Sequence, residues 1–369
     1  MNRNKKITSL LLFVITIGLN AQNLPSTPDI WEVQSNGHVF ENFEGKPSLY
    51  LFQGVANLKS PVDFKTGIIE YSIFVTERRG FPGVHFRVGD NNDYEEFYIR
   101  PHQSGNPDAN QYTPVFNGIS GWQLYYGKGN AQAINYNMNE WNHIKLVIAE
   151  KDAEVYINNM EIPLFYIPEL KIAPRSGTIR LSGGGPSPFH FADLKVTKIE
   201  SPKLKSERIP LPEISDMLIK SWAVSNSFPE SNVASNFMLS DKEKSNLRWN
   251  TVTSESAGYA NLARVAQRAN GNNTVFAKVI ITSETDQIKK MVYGFSDRAR
   301  IYLNDQILAG GTDNFVSRDY RFLGTMGFFD AVYLPLKKGK NELWIAVSEN
   351  FGGWGVMAGF ENKEGIKLD

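Results

Sequence analysis

The chain has 369 residues, no cysteine, and 39 basic side chains against 39 acidic ones. That length accommodates two ordinary domains, each with its own buried core. The lack of cysteine excludes disulfides, a thiol nucleophile, thiolate-bound metals and a lipidated N-terminal cysteine, and the balanced charge provides no field favouring nucleic acid or an anionic membrane.

The N-terminus reads as an export leader. Arg3, Lys5 and Lys6 precede an apolar run from Ile7 to Leu19, and Ala21 offers a small residue before Gln22. A leader over residues 1–21 implies a secreted or periplasmic protein. The apolar run is too short to span a bilayer comfortably, and no later segment reads as a membrane span.

Residues 22–200 carry short runs that alternate with period two, the signature of half-buried strands. The runs are Ile68–Val75, Val84–Val88, Tyr94–Arg100, Trp122–Tyr126, His143–Ala149 and Ala153–Ile157. Asp90 to Asp93 and Asn158-Asn159 supply tight turns. The oxygens of the Asp90–Asp93 run would also suit calcium, but their spacing does not match an EF-hand loop, and they read as a turn. With no helical periodicity between the strands, the expected fold is an antiparallel β-sandwich.

One face of these strands is chemically unusual. Alternation puts Glu70, then His85 and Arg87, then Glu96, Tyr98, Arg100 and His102 on the side opposite the apolar residues. Solvated faces ordinarily carry small polar residues and lysines. His, Arg, Glu and Tyr side chains together suit recognition of hydroxyl and carboxylate groups. The polar stretch from Arg100 to Gly127 reads as a long loop, and it brings Asp108, Trp122, Gln123 and Tyr125. Trp122 and Tyr125 suit stacking on sugar rings, while Gln123 offers an amide fork. The plain alternative is a solvated face with cross-strand pairs such as Arg87 with Glu96.

The expected ligand is therefore an oligo- or polysaccharide, with His85, Arg87, Tyr98, Arg100, His102, Trp122, Gln123 and Tyr125 as binding residues. Were the site catalytic, Glu70, Glu96, His102 and Asp108 are the acid–base candidates. His85 and His102 have no third ligand at a spacing that would hold zinc. No metal or other cofactor is expected.

Residues 201–212, SPKLKSERIPLP, hold three prolines and several charges, and read as a linker. Ile214 to Phe228 is expected as a short helix or an extended arm packing back on the first domain. Strand patterns resume over residues 213–369, at Val275–Thr282, Lys289–Phe295, Ala299–Leu303, Ala331–Leu336 and Glu342–Ser348. The chain is thus expected to be all-β, as two consecutive β-sandwich (jelly-roll) domains.

Two resemblances bear on function. Gly67 to Val88, Glu140 to Ile157 and Phe189 to Val196 resemble the concanavalin A-like lectin and glucanase superfamily, and more narrowly its laminin-G-like and 3-keto-disaccharide hydrolase-like domains. Trp141, Tyr156, Asn158, Phe191 and Asp193 stand at the positions of that pattern. The resemblance implies carbohydrate binding or processing in polysaccharide utilisation. The Glu-x-Asp-x-x-Glu strand of the laminarinase-like members is missing, which argues against their retaining mechanism. The second half, through Tyr293–Gln306, Ala331–Leu343 and Gly352–Phe360, resembles galactose-binding-like jelly-roll modules attached to glycosidases. Its matching residues are framework positions rather than sugar ligands. A glycoside hydrolase or lyase acting on keto-sugars, and a structural or adhesive surface protein, are the competing readings.

Overall fold

A computed structural model describes residues 20–369; the expected leader, apart from its last two residues, lies outside the described residues. The first half builds thirteen strands. They are β1 (Asn20–Leu24), β2 (Trp31–Phe43), β3 (Lys46–Leu58), β4 (Gly67–Val75), β5 (Phe81–Val88), β6 (Tyr94–Ile99) and β7 (Asn110–Phe116). The series continues with β8 (Ile119–Ser120), β9 (Glu140–Ile148), β10 (Ala153–Ile157), β11 (Phe165–Ile167), β12 (Thr178–Gly184) and β13 (Phe189–Lys198).

These strands form one antiparallel sheet in the order β11-β10-β9-β4-β13-β3-β12-β5-β6-β7-β8, with β1 also pairing with β13 and β2 with β3. The sheet becomes a sandwich because β3 bends. Its first half pairs with β13, its second half with β12, and between them Gln53 and Gly54 adopt φ of 46° and 152°. Gly54 is required there, since a Cβ would lie 2.1 Å from the Gln34 carbonyl oxygen. The two leaves then enclose one core, in which Leu49, Ile69, Tyr71 and Ile73 meet Val84, Phe86, Phe97 and Ile99.

The second half forms two further sheets. One contains β14 (Ser221–Ser225), β15 (Trp249–Thr253), β17 (Thr274–Ser283), β19 (Arg298–Leu303), β20 (Gln306–Thr312), β22 (Gly339–Ser348) and β24 (Ile366–Leu368). The other orders β16 (Tyr259–Asn261), β23 (Gly355–Phe360), β18 (Gln287–Ser296) and β21 (Asp330–Leu336). Their shared core includes Trp222, Phe295, Ile301, Ile345 and Trp354. The protein is all-β, with sandwich architecture in both halves.

Residues 201–212 carry no regular structure and are mostly exposed. They lie against the first half through Lys205 to Glu161, the Ser206 amide to Glu154, and Arg208 to Asp152. The two halves also meet directly. Phe116, Ile119 and Ile172 of the first half join the core cluster of the second. Beside them Glu255 receives Lys171 at 2.6 Å, Arg264 at 2.9 Å and the Tyr125 hydroxyl at 2.6 Å.

Three local expectations are corrected. Trp122–Tyr126 is a turn, not a strand, because Gln123, Leu124 and Tyr125 are all buried against the second half. The polar stretch from Arg100 to Gly127 is not one loop, for Asn110–Phe116 is a fully buried strand within it. The segment after the linker takes the extended alternative but packs on the second half rather than the first, where Leu218 bridges Gly359 and Ile219 enters the core.

Candidate functional site

Strands β12, β5, β6 and β7 lie side by side, and their outward residues form rungs. One rung runs Arg180–His85–Glu96–Thr113, and the next runs Ser182–Gly83–Tyr98–Gln111. Alternation turns Val84 and Phe97 into the core and leaves these rungs on the open face.

The first rung is a hydrogen-bonded chain. Arg180 Nε donates to His85 Nδ1 at 2.7 Å, so the imidazole hydrogen sits on Nε2 and points to Glu96 Oε1, 3.0 Å away. Burial holds His85 below the ordinary imidazole value, and the Arg180 charge acts in the same direction against the pull of Glu96. The ring stacks on Tyr94 with centroids 4.2 Å apart, and the Arg180 guanidinium covers the other part of that tyrosine at 4.4 Å. His85 is thereby fixed as a neutral donor that orients the Glu96 carboxylate.

The second rung positions an aromatic wall. Arg100 Nη2 donates to the Tyr98 hydroxyl at 2.7 Å, and that hydroxyl donates to Gln111 Oε1 at 2.8 Å. Gln111 Nε2 in turn donates to the Trp122 carbonyl at 2.8 Å and to that of Tyr125. The turn carrying Trp122 is thus tied to the floor. Arg100 Nη1 is bound to the Asp108 carbonyl, so most of its fork is already engaged. Its expected role as a free fork for ligand is corrected to one mainly of positioning.

A cleft of about 920 Å³ opens over these rungs. His85, Glu96, Tyr98, Arg100, His102, Asp108 and Trp122 line it, as do Arg180, Arg79, Phe81, Tyr94 and Gln53. The second half supplies the facing wall with Phe315, Tyr320, Leu323 and Phe351. Phe351 meets Trp122 edge to face at 5.6 Å. Tyr320 is 83% exposed and Phe351 61% exposed, large apolar surface that ordinary folding would bury.

The facing wall is built, not draped. Arg318 donates to Asp313 at 2.7 Å and to Asp330 at 2.6 Å, closing the base of the segment that carries Phe315, Tyr320 and Leu323. Phe351 sits on a turn whose Asn350 and Phe351 amides donate to Asp297 at 2.7 and 3.0 Å. The Gly353 amide donates to Glu349 in the same turn. Burial, then the neighbouring Asp297 charge, pushes Glu349 up to about 8.

Four expected site residues lie elsewhere. Arg87 adopts φ 54°, where a register shift interrupts the β5–β12 pairing, and its side chain turns inward to the carbonyls of Lys65, Ala149 and Glu150. It therefore does not pair with Glu96. Glu70 sits on β4, which β13, β3 and β12 separate from β5, so it forms no pair with Glu96. It meets His143 and Lys195 instead, and the His143 hydrogen bond holds its carboxyl below the ordinary value. Gln123 and Tyr125 are completely buried between the halves. Gln123 accepts from Ser296 and donates to the Leu323 carbonyl; Tyr125 bonds Glu255.

Arg180, Tyr94, Arg79 and the wall from the second half escaped the sequence reading. Arg180 had a signal, since Ile179, Leu181 and Arg180, Ser182 alternate like the neighbouring strands. The distant wall had none beyond a cluster of aromatics in a polar segment. Among the described residues no three His, Asp or Glu side chains converge as metal ligands.

No protein-family profile matches the chain, and no curated protein does either. Solved structures align with about half of it. A β-glucanase of Bacillus licheniformis is 12% identical over 50% of this chain and all of its own, with a TM-score of 0.36. A galectin-like protein of unknown function from Bacillus subtilis is 14% identical over 49% of this chain and 95% of its own, with a TM-score of 0.37. The carbohydrate-binding module CBM66 of Bacillus subtilis is 11% identical over 48% of this chain and 96% of its own, with a TM-score of 0.32.

Proposed function

We propose that the protein binds oligo- or polysaccharide in this cleft, outside the cytoplasm, as part of polysaccharide utilisation. The observation that carries the reading is the combination of a polar floor with aromatic walls in one opening of about 920 Å³. Sugars need directed donors and acceptors for their hydroxyls, and flat apolar surfaces for their C–H faces. Glu96, Arg180, Gln53 and Asp108 offer the first; Trp122, Phe351, Tyr320 and Phe81 offer the second. A purely structural or adhesive sandwich would need no such opening. Secretion rests on the leader-like residues 1–21 alone.

A second reading keeps the same ligand and adds hydrolysis or elimination. It is favoured by the presence of two carboxylates, Glu96 and Asp108, in the cleft, the first held by a neutral histidine. Titration of a glycan panel against wild type and Trp122→Ala tests the binding reading. Removing the indole should weaken binding by about 2 kcal/mol, roughly thirtyfold. Undiminished affinity in the folded variant would move the site away from this cleft. Product analysis on every bound glycan, with Glu96→Gln as control, separates binding from turnover: products from wild type that vanish in the variant would make the cleft catalytic.

A further inference from the structure

We infer that the end of the cleft around Arg79 is a subsite for an anionic substituent of the sugar, a carboxylate or a sulfate ester. The inference rests on the carbohydrate reading above and specifies its ligand.

Three arginines line the cleft, Arg79, Arg100 and Arg180. Among the described residues none of them makes a salt bridge to a carboxylate, whereas six of the eleven other described arginines do. Arg100 and Arg180 are partly engaged by neutral acceptors: a tyrosine hydroxyl, an amide, a carbonyl and a histidine nitrogen. Those contacts fix the guanidinium planes without cancelling their charge. Arg79 is exposed, and its guanidinium stands 5.7 Å from the Phe81 ring centre. Phe81 meets His102 edge to face at 5.5 Å, so arginine, phenylalanine and histidine follow one another along this end.

The field here is positive. Burial lowers the proton affinity of His102 first, and the charges of Arg79 and Arg100 lower it further, while Asp108 opposes them. Asp108 is thus the one carboxylate acting at this end, against two guanidiniums. Glu96, the other carboxylate of the cleft, already accepts from His85. The His102 Nδ1 is buried without a partner, which leaves this ring short of one hydrogen-bonding contact. A carboxylate or sulfate presents several acceptor oxygens, and a guanidinium such as that of Arg79 binds either in a fork. A neutral sugar would leave the Arg79 charge unused.

The test compares acidic tetrasaccharides with matched uncharged partners by calorimetry. The probes are tetragalacturonate with its methyl ester, tetramannuronate with its methyl ester, and a sulfated galactan tetrasaccharide with its desulfated form. At least one acidic probe should bind tenfold or more tighter than its partner, with the advantage shrinking as salt rises. Arg79→Gln, an exposed change expected to leave the melting temperature unaltered, should remove most of that advantage and leave uncharged probes unaffected. The uronates and the sulfated probe distinguish carboxylate from sulfate. If uncharged probes bind in a Trp122-dependent manner and no acidic probe binds better, or if Arg79→Gln changes nothing, this inference falls while the carbohydrate reading stands. If no sugar of any kind binds, both fall together.

Discussion

Gln123 is the residue through which the two sandwiches hold the cleft in shape, and its removal has a calculable cost. Its side chain accepts from the Ser296 hydroxyl at 2.9 Å and donates to the Leu323 carbonyl at 2.8 Å. Its main chain adds two more cross-sandwich bonds, its amide donating to the Gly352 carbonyl at 2.9 Å and its carbonyl accepting from the Met326 amide at 3.0 Å. Gln123→Ala leaves the main-chain pair but deletes both side-chain bonds. Each is worth about 1 kcal/mol net, and leaving the buried Ser296 hydroxyl without this partner adds to the loss, giving about 2–4 kcal/mol in all. For units of this size that corresponds to a fall in Tm on the order of 5–10 °C. Scanning calorimetry of the full chain measures it. The variant should also bind glycan more weakly, because Leu323 loses its anchorage to the Trp122 side. An unchanged Tm together with unchanged affinity would refute the idea that this turn couples the halves.

Other consequences are separable from that one. Arg87→Met should cost about 3 kcal/mol, since the carbonyls of Lys65, Ala149 and Glu150, the second of them buried, lose their donor, yet glycan affinity should persist in the fraction that remains folded. Glu349 retains a proton in the folded chain that it would lose when unfolded, because its value lies near 8 against an ordinary 4.5. Its contribution to stability is therefore full below about pH 4.5 and declines as pH rises towards 8; Glu349→Gln should flatten the Tm profile over that window, and an identical profile would count against it. Glu255 has the opposite sign: burial raises its value, but Lys171 and Arg264 outweigh burial and hold it below normal. Its contribution is present above the ordinary glutamate value and fades as pH falls, so Glu255→Gln should destabilise the neutral-pH protein most, as followed by denaturant unfolding at pH 7 and pH 4. Arg318→Ala should loosen the segment bearing Tyr320 and weaken binding severalfold with little change in Tm, a split readable by calorimetry and melting together.

The alternation of His85, Glu96 and Tyr98 was legible because β5 and β6 are regular where these residues sit, so period two alone sets their face. Arg87 was misplaced by the same logic. A single left-handed residue just before the Asp90–Asp93 turn reverses its direction, and alternation has no means of registering such a break. Glu70 shows a different limit. Its face on β4 was readable, but strand order is a long-range property, and β3 from earlier in the chain together with β12 and β13 from later carry β4 away from β5. Trp122 to Tyr125 look amphipathic because one side meets the floor and the other meets the second sandwich, a pattern shared by a strand and by a turn wedged between two surfaces. The facing aromatic wall comes from about two hundred residues downstream and could be found only once both halves were seen together.

The central claim is that one cleft, shared by both sandwiches, holds a sugar against the contacting Trp122 and Phe351 rings. A double-mutant cycle on glycan binding tests it most directly, using wild type, Trp122→Ala, Phe351→Ala and the double variant. Each single change should weaken binding by about 1–2 kcal/mol, and the two effects should be non-additive by about 0.5 kcal/mol or more, as for contacting groups that share a ligand. Full affinity in the folded Phe351→Ala variant would contradict the account, because the second sandwich would then take no part in the site.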